Sequence, residues 1–280
     1  MKIGQSIHRG ALSLFVLLSV ACAHTPSPEE RKQAAAEYKV GLSLVHEAQK
    51  SAREGANAKQ DYNYREALEA LLKAEKLDPA NPEVQYLLGL VYFVGFKRHD
   101  DAELHLRRAM EAQKEAYPEA ENLLGNVLVD VGRAEEALGY YQNARSNLLY
   151  RTPYFAEEGY GWALFRLGRL DEAAKHLRTA LVAQPDLCGA YVKLAEVEES
   201  RGNLAESATS LETFLSRCDS DRLRANVGLS TLAYAYFRLG MARLKAGQKE
   251  EASEALRICA ARFGTESVAA ECDKSLRLLN

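Results

Sequence analysis

The 280-residue sequence predicts an all-α chain in which one helix-turn-helix unit is repeated, and three observations carry that prediction. A segment with one grammar recurs: Gly132-Arg133-Ala134-Glu135-Glu136-Ala137, Gly168-Arg169-Leu170-Asp171-Glu172-Ala173, Gly202-Asn203-Leu204-Ala205-Glu206-Ser207 and Gly247-Gln248-Lys249-Glu250-Glu251-Ala252. Each is a turn glycine followed by the acidic first turn of a helix. Seven residues before each glycine stands a small residue, Gly125, Gly161, Ala195 or Gly240, as two closely packed helices require. Finally, the 7 Pro fall at predicted junctions or near the N-terminus, and 47% of the chain is apolar, enough for a buried core.

In chain order, Lys2 and Arg9 precede an apolar stretch, Ala11 to Ala21, too short for a membrane span and suited to a signal peptide over residues 1–21. Ser19-Val20-Ala21-Cys22 resembles the lipobox of bacterial lipoproteins, which makes Cys22 the acylated first residue of the mature chain; Ser19 departs from the aliphatic residue usual there. The competing reading is ordinary cleavage after Ala21-Cys22-Ala23. Residues 22–33 read as a polar, lipidated tether. By resemblance to lipoprotein sorting, Ala23 in place of Asp implies the outer membrane, facing the periplasm. Losing Lys2 and Arg9 takes the net charge from −3 to −5, and no basic block is present to follow a phosphate backbone. Nucleic acid is therefore not an expected partner.

The remainder, 34–280, divides into repeats at about 34–81, 82–117, 118–153, 154–187, 188–221 and 233–266, with a cap at 267–280. The first is least regular, with helix starts competing around Tyr38 and Gly41 and around Gly55. The repeated unit resembles the tetratricopeptide repeat, which implies a right-handed superhelix whose first helices line a concave groove. The family's groove positions fall here on Tyr86, Leu90 and Phe93, on Asn122, Asn126 and Val129, on Phe155, Trp162 and Phe165, and on Tyr234, Phe237 and Met241. Apolar and aromatic residues there fit a groove for a partner segment, or else a superhelix that closes on them as core. Asn122 and Asn126, one turn apart, are placed to hydrogen-bond an extended peptide.

In the same register Cys188 opens a repeat and Cys218 nears its end, so antiparallel helices bring them together as a disulfide; Cys259 and Cys272 flank the last turn and pair likewise. The alternative is four buried thiols. No catalytic constellation emerges. His46-Glu47 lacks the second ligand of a zinc motif, and His99, Asp100, Asp101 and His105 read as a polar connector. Gly159-Tyr160-Gly161 lacks the strand and third glycine of a nucleotide loop. No metal, cofactor or small-molecule substrate is expected, and the chain reads as a binding protein and not an enzyme.

Glu121-Asn122-Leu123-Leu124-Gly125-Asn126, Ala246 to Ala252, Ala261 to Ser267 and the start Cys22-Ala23-His24-Thr25-Pro26 are similar to the type IV pilus biogenesis lipoproteins of the PilF, PilW and Tgl type, the pilotins of the outer-membrane secretin. Gly264 stands where that family tends to have Pro. The resemblance implies that acyl chains hold the solenoid on the outer membrane. Its groove would then bind a secretin subunit, promoting secretin localisation, assembly and multimerisation, and through these pilus biogenesis and twitching or gliding motility. The alternative is a periplasmic scaffold that docks cell-wall hydrolases or outer-membrane assembly factors.

Overall fold

In the computed structural model, residues 25–53, 56–220, 223 and 227–279 are described. The signal segment, Cys22 and the competing helix start at Gly55 lie outside them. The described residues form thirteen α-helices arranged as successive pairs: α1 (Pro28–Arg53) with α2 (Asn57–Leu77), α3 (Pro82–Leu90) with α4 (His99–Ala112), α5 (Pro118–Asp130) with α6 (Ala134–Ser146), α7 (Pro153–Arg166) with α8 (Leu170–Ala183), α9 (Cys188–Ser200) with α10 (Leu204–Cys218), and α11 (Leu229–Lys245) with α12 (Lys249–Arg262). A final helix, α13 (Ser267–Leu279), packs on α11 and α12.

Local chemistry sets the helix ends. Pro82, Pro118 and Pro153 occupy the first turn of their helices, where a missing N–H costs nothing. Asn81 adds a cap to α3, its Oδ1 accepting from the Glu83 and Val84 amides at 3.1 Å. At the other end of the first helices, Gly132, Gly168, Gly202 and Gly247 have φ between +77° and +83°. The amide after each reaches back five residues, as from Arg133 to the Leu128 carbonyl at 2.8 Å, closing the helix in a Schellman motif.

The helices of a pair approach closely because a small residue on the first lies under a large one on the second. A Cβ on Gly89 would stand 2.6 Å from Leu106 Cγ, and one on Gly240 2.6 Å from Leu256 Cγ. Gly125 and Gly159 both press on the Tyr141 ring, which is 1% exposed. Gly41 plays the same part under Leu71, so it lies inside α1 and does not mark a helix start.

Three features depart from the sequence-based boundaries. The tether expected over 22–33 is helical from Pro28, because Ser27 and Glu30 form a capping box: the Ser27 amide donates to Glu30 Oε2 at 2.8 Å and the Glu30 amide to Ser27 Oγ at 3.2 Å. The first helix of the last pair starts at Leu229, four residues before 233, directly after Gly228 at φ +82°. The second pair holds one extra residue, with 13 positions from Gly89 to Ala102 against 12 from Gly125 to Ala137. A π turn at Val91–Gly95 absorbs it, and Lys97, at φ 55°, takes the left-handed position that glycine fills elsewhere.

The buried core runs as one cluster from Val45 to Val197 and a second from Tyr191 to Phe263, with Leu181 touching both, and a small third cluster of Leu256, Cys259 and Cys272 lies at the end. Cys188 and Cys218 are bonded, with Cα atoms 6.0 Å apart, and so are Cys259 and Cys272, at 6.1 Å. Both bridges lie in the second cluster's half of the chain.

Candidate partner-binding groove

The bend of the stack follows from which helices touch. In the middle of the stack first helices of adjacent pairs pack on one another, α5 on α7 and α7 on α9, whereas among the described residues no second helix packs comparably on the next pair's second helix. The first helices therefore line the inner face, and residues one turn to either side of the small packing residue point across it.

In the first, second and fourth pairs that face is aromatic, and α5 of the third pair contributes Asn122 and Asn126 between them. Tyr86 and Leu90 on α3, Phe93 on the π turn that follows it, and Trp162 and Phe165 on α7 are half-buried, and Phe155 remains 43% exposed. Trp162 and Phe165 rings lie 4.8 Å apart, as do those of Tyr154 and Phe155. Three tyrosines that the spacing argument passed over join them. Tyr117 lies 5.4 Å from the Tyr86 ring, and Tyr38 and Tyr150 lie close enough to raise the Tyr86 phenol by their charge. Burial is the larger cause, and together they push Tyr86 up to about 12. The signal for Tyr38 was present, since it precedes Gly41 by three residues as Tyr86 precedes Gly89. Tyr117 and Tyr150 sit in inter-repeat loops that the helical period does not reach.

The asparagine pair is split by its surroundings. Asn126 Oδ1 accepts from the Tyr141 hydroxyl at 2.8 Å, so that carbonyl already has a structural partner. Asn122 Oδ1 is buried and accepts no hydrogen bond, and the same holds for Glu121 Oε2 beside it. Burial raises the Glu121 carboxyl above the usual carboxylate range, against a hydrogen bond from Asn143 that opposes the shift. Val129, expected in the groove, is 3% exposed and belongs to the core. Below Trp162 lies a charge that the apolar pattern did not reveal. Glu158 is 8% exposed and pairs at 3.1 Å with Lys193, whose ammonium stands 5.7 Å from the Trp162 ring centre.

The last two pairs are different. Glu196 and Glu199 on α9 face Arg238 and Lys245 on α11: Arg238 donates to Glu199 at 2.5 Å and lies 3.4 Å from Glu196, and Lys245 also binds Glu199. Burial would raise the Glu199 carboxyl, but these two cations hold it below its ordinary value. Tyr234, expected as an apolar groove residue, donates to Glu196 at 3.3 Å and accepts from Arg238. Phe237 packs against the Leu256, Cys259 and Cys272 cluster, and Met241 is half-buried. The polar group at the start of α4 also resolves. His99 lies 3.3 Å from Asp130, and His105 is buried with Nδ1 2.7 Å from Gln85 Oε1, its basicity lowered by desolvation. Among the described residues no group of three His, Cys, Asp or Glu side chains is placed to hold a metal, and no helix is long and apolar enough to cross a membrane.

Comparison with known proteins follows the same architecture. The family described as TPR repeat matches residues 63–94, and families described as tetratricopeptide repeat match 122–187, 161–223 and 234–265. No curated protein matches the chain significantly. Among solved structures, PilW, described as a widely conserved type IV pilus biogenesis factor, superposes with a TM-score of 0.70 at 20% identity, covering 85% of this chain and 97% of that one. Pseudomonas aeruginosa PilF gives 0.64 at 14% identity, covering 88% and 99%. The Thermus thermophilus protein TTC0263 gives 0.56 at 20% identity, covering 75% and 99%. At these identities the likeness is one of fold.

Proposed function

The chain belongs to the tetratricopeptide-repeat family, and from that premise we propose that it is a non-enzymatic binding protein whose partner is a secretin subunit of the type IV pilus, held at the outer membrane by acyl chains on Cys22. The observation that carries the reading is the set of half-exposed aromatic residues on the inner face of the first, second and fourth pairs. Aromatic side chains that are neither sealed in the core nor fully in water gain most when a partner covers them, and Trp and Tyr dominate such contacts. PilW, whose structure shares this fold over 85% of this chain and 97% of its own, is described as a type IV pilus biogenesis factor, which supports the choice of partner. The groove would bind an apolar segment of the secretin and promote its localisation and multimerisation, and hence pilus biogenesis and motility.

Deleting the gene tests this reading. The secretin should then fail to form heat-resistant multimers, and re-expressing the chain should restore them. Normal multimers with altered cell-wall turnover would instead favour a scaffold that docks cell-wall hydrolases.

A further inference from the structure

Two observations meet at one edge of the solenoid. Within each pair the helices are antiparallel, so first helices start, and second helices end, on a common edge. Pro26, just before α1, shares a cleft there with Pro79 and Ala80 after α2 and with Arg108, Glu111 and Ala112 at the end of α4. Cys22 is four residues before Pro26 in sequence, so it lies within at most about 14 Å of this edge. The loop between α6 and α7, residues 147–152, emerges on the same edge. It carries two consecutive leucines, Leu148 at 99% and Leu149 at 82% exposure. Other strongly exposed aliphatic side chains among the described residues, Val182 and Leu278, stand singly.

The pair is displayed by a fixed turn. Asn147 Oδ1 accepts from the Leu149 amide at 2.9 Å, the Asn147 carbonyl accepts from the Tyr150 amide at 3.1 Å, and the Tyr150 side chain is only 6% exposed. The turn is therefore pinned on its C-terminal side while the leucines project. Arg151, exposed, follows directly.

We propose that this loop is a second membrane contact, in which Leu148 and Leu149 enter the interface of the leaflet that holds the acylated Cys22, with Arg151 at the level of the lipid phosphates. The proposal rests on the acylation of Cys22. It follows from chain length: an anchor this close to Pro26 keeps the edge within reach of the bilayer, where bare leucines gain by burial and a basic side chain by its charge. A bilayer needs no groove and no hydrogen-bonding register, and the loop presents neither. Two contacts in place of one would stop the solenoid swivelling on its tether and hold the aromatic groove at a set angle to the membrane.

The natively processed full-length protein, reconstituted in phosphatidylethanolamine–phosphatidylglycerol vesicles with and without brominated acyl chains, provides the test. Leu149→Trp is compared with Leu167→Trp, on the turn between α7 and α8 at the opposite edge, after subtracting the Trp162 signal of the unmodified protein. The expected result is that brominated lipid quenches Leu149→Trp at least twofold more than Leu167→Trp. Protein that floats with the vesicles while both sites quench equally would overturn the loop contact and leave the anchor standing. Protein that does not float, with an unacylated N-terminus by mass, would overturn the anchor and this contact with it. A photo-crosslinking residue at position 149 should form a lipid adduct in cell membranes; an adduct to a second copy or to another protein would overturn the proposal.

Discussion

The first four helix pairs and the last two obey the same packing rule and present opposite inner faces. From α1 to α8 the face is largely aromatic, with Tyr38, Tyr86, Phe93, Trp162 and Phe165 half-buried and Asn122 and Asn126 between them. From α9 to α12 the corresponding surface is a lattice in which Glu196 and Glu199 are matched by Arg238, Lys245 and Tyr234. A satisfied charge lattice has little left to offer a partner, because each new contact must displace an existing one. Aromatic rings that retain exposed area still have burial to gain. Both halves pack leucine over glycine, and the two differ in that both disulfides lie in the second. On the proposed reading, partner recognition falls to the half that packs without cross-links.

The comparison is broken most severely by removing the longer cross-link. Replacing Cys188 and Cys218 together with Ala should cost about 3 to 4 kcal/mol through loop-closure entropy. Hydrogen exchange should then show lost protection in α9 to α12 and retained protection in α1 to α6. In the first half the equivalent test is Gly159→Ala, which drives a methyl group into the Tyr141 ring and should cost about 1 to 3 kcal/mol in a denaturant titration. Gly139→Ala, where nothing lies within 4 Å, should instead stabilise the same protein by up to about 1 kcal/mol.

Arg238→Ala should cost about 1 to 2 kcal/mol by leaving Glu196 and Glu199 short of a donor. Because these groups are only about 20% exposed, added salt should recover little of that loss. The smallest effect is expected at Glu121. Burial raises its folded-state pKa, so the stability associated with its proton is present at low pH and lost as pH rises through the folded value. Glu121→Gln should therefore melt about 1–2 °C higher than the parent at pH 8, a difference that closes by pH 4.

The repeat architecture was legible because its determinants are local: a left-handed glycine, an acidic first turn and a small residue at a fixed offset all lie within a dozen positions. The disulfide register followed from the same periodicity. The start of α1 was missed although Ser27 and Glu30 spell a capping box, because the apolar pattern begins only at Ala34. The π turn was missed because Lys97 stands where the other repeats carry glycine. The candidate groove was legible only in part. Spacing picked out Tyr86, Trp162 and Phe165, but it cannot tell that Val129 turns inward or that Asn126 is taken by Tyr141. The charge lattice joins residues about forty positions apart, Glu199 to Arg238, and no local pattern announces it.

The central claim, that the aromatic inner face between α1 and α8 engages the partner, is tested most directly by Trp162→Ala in the full-length protein, expressed in place of the wild type. The account predicts an unchanged helical circular dichroism spectrum and at least a tenfold loss of heat-resistant secretin multimers, with Arg238→Ala retaining them. Wild-type multimer levels in the folded Trp162→Ala protein would contradict it.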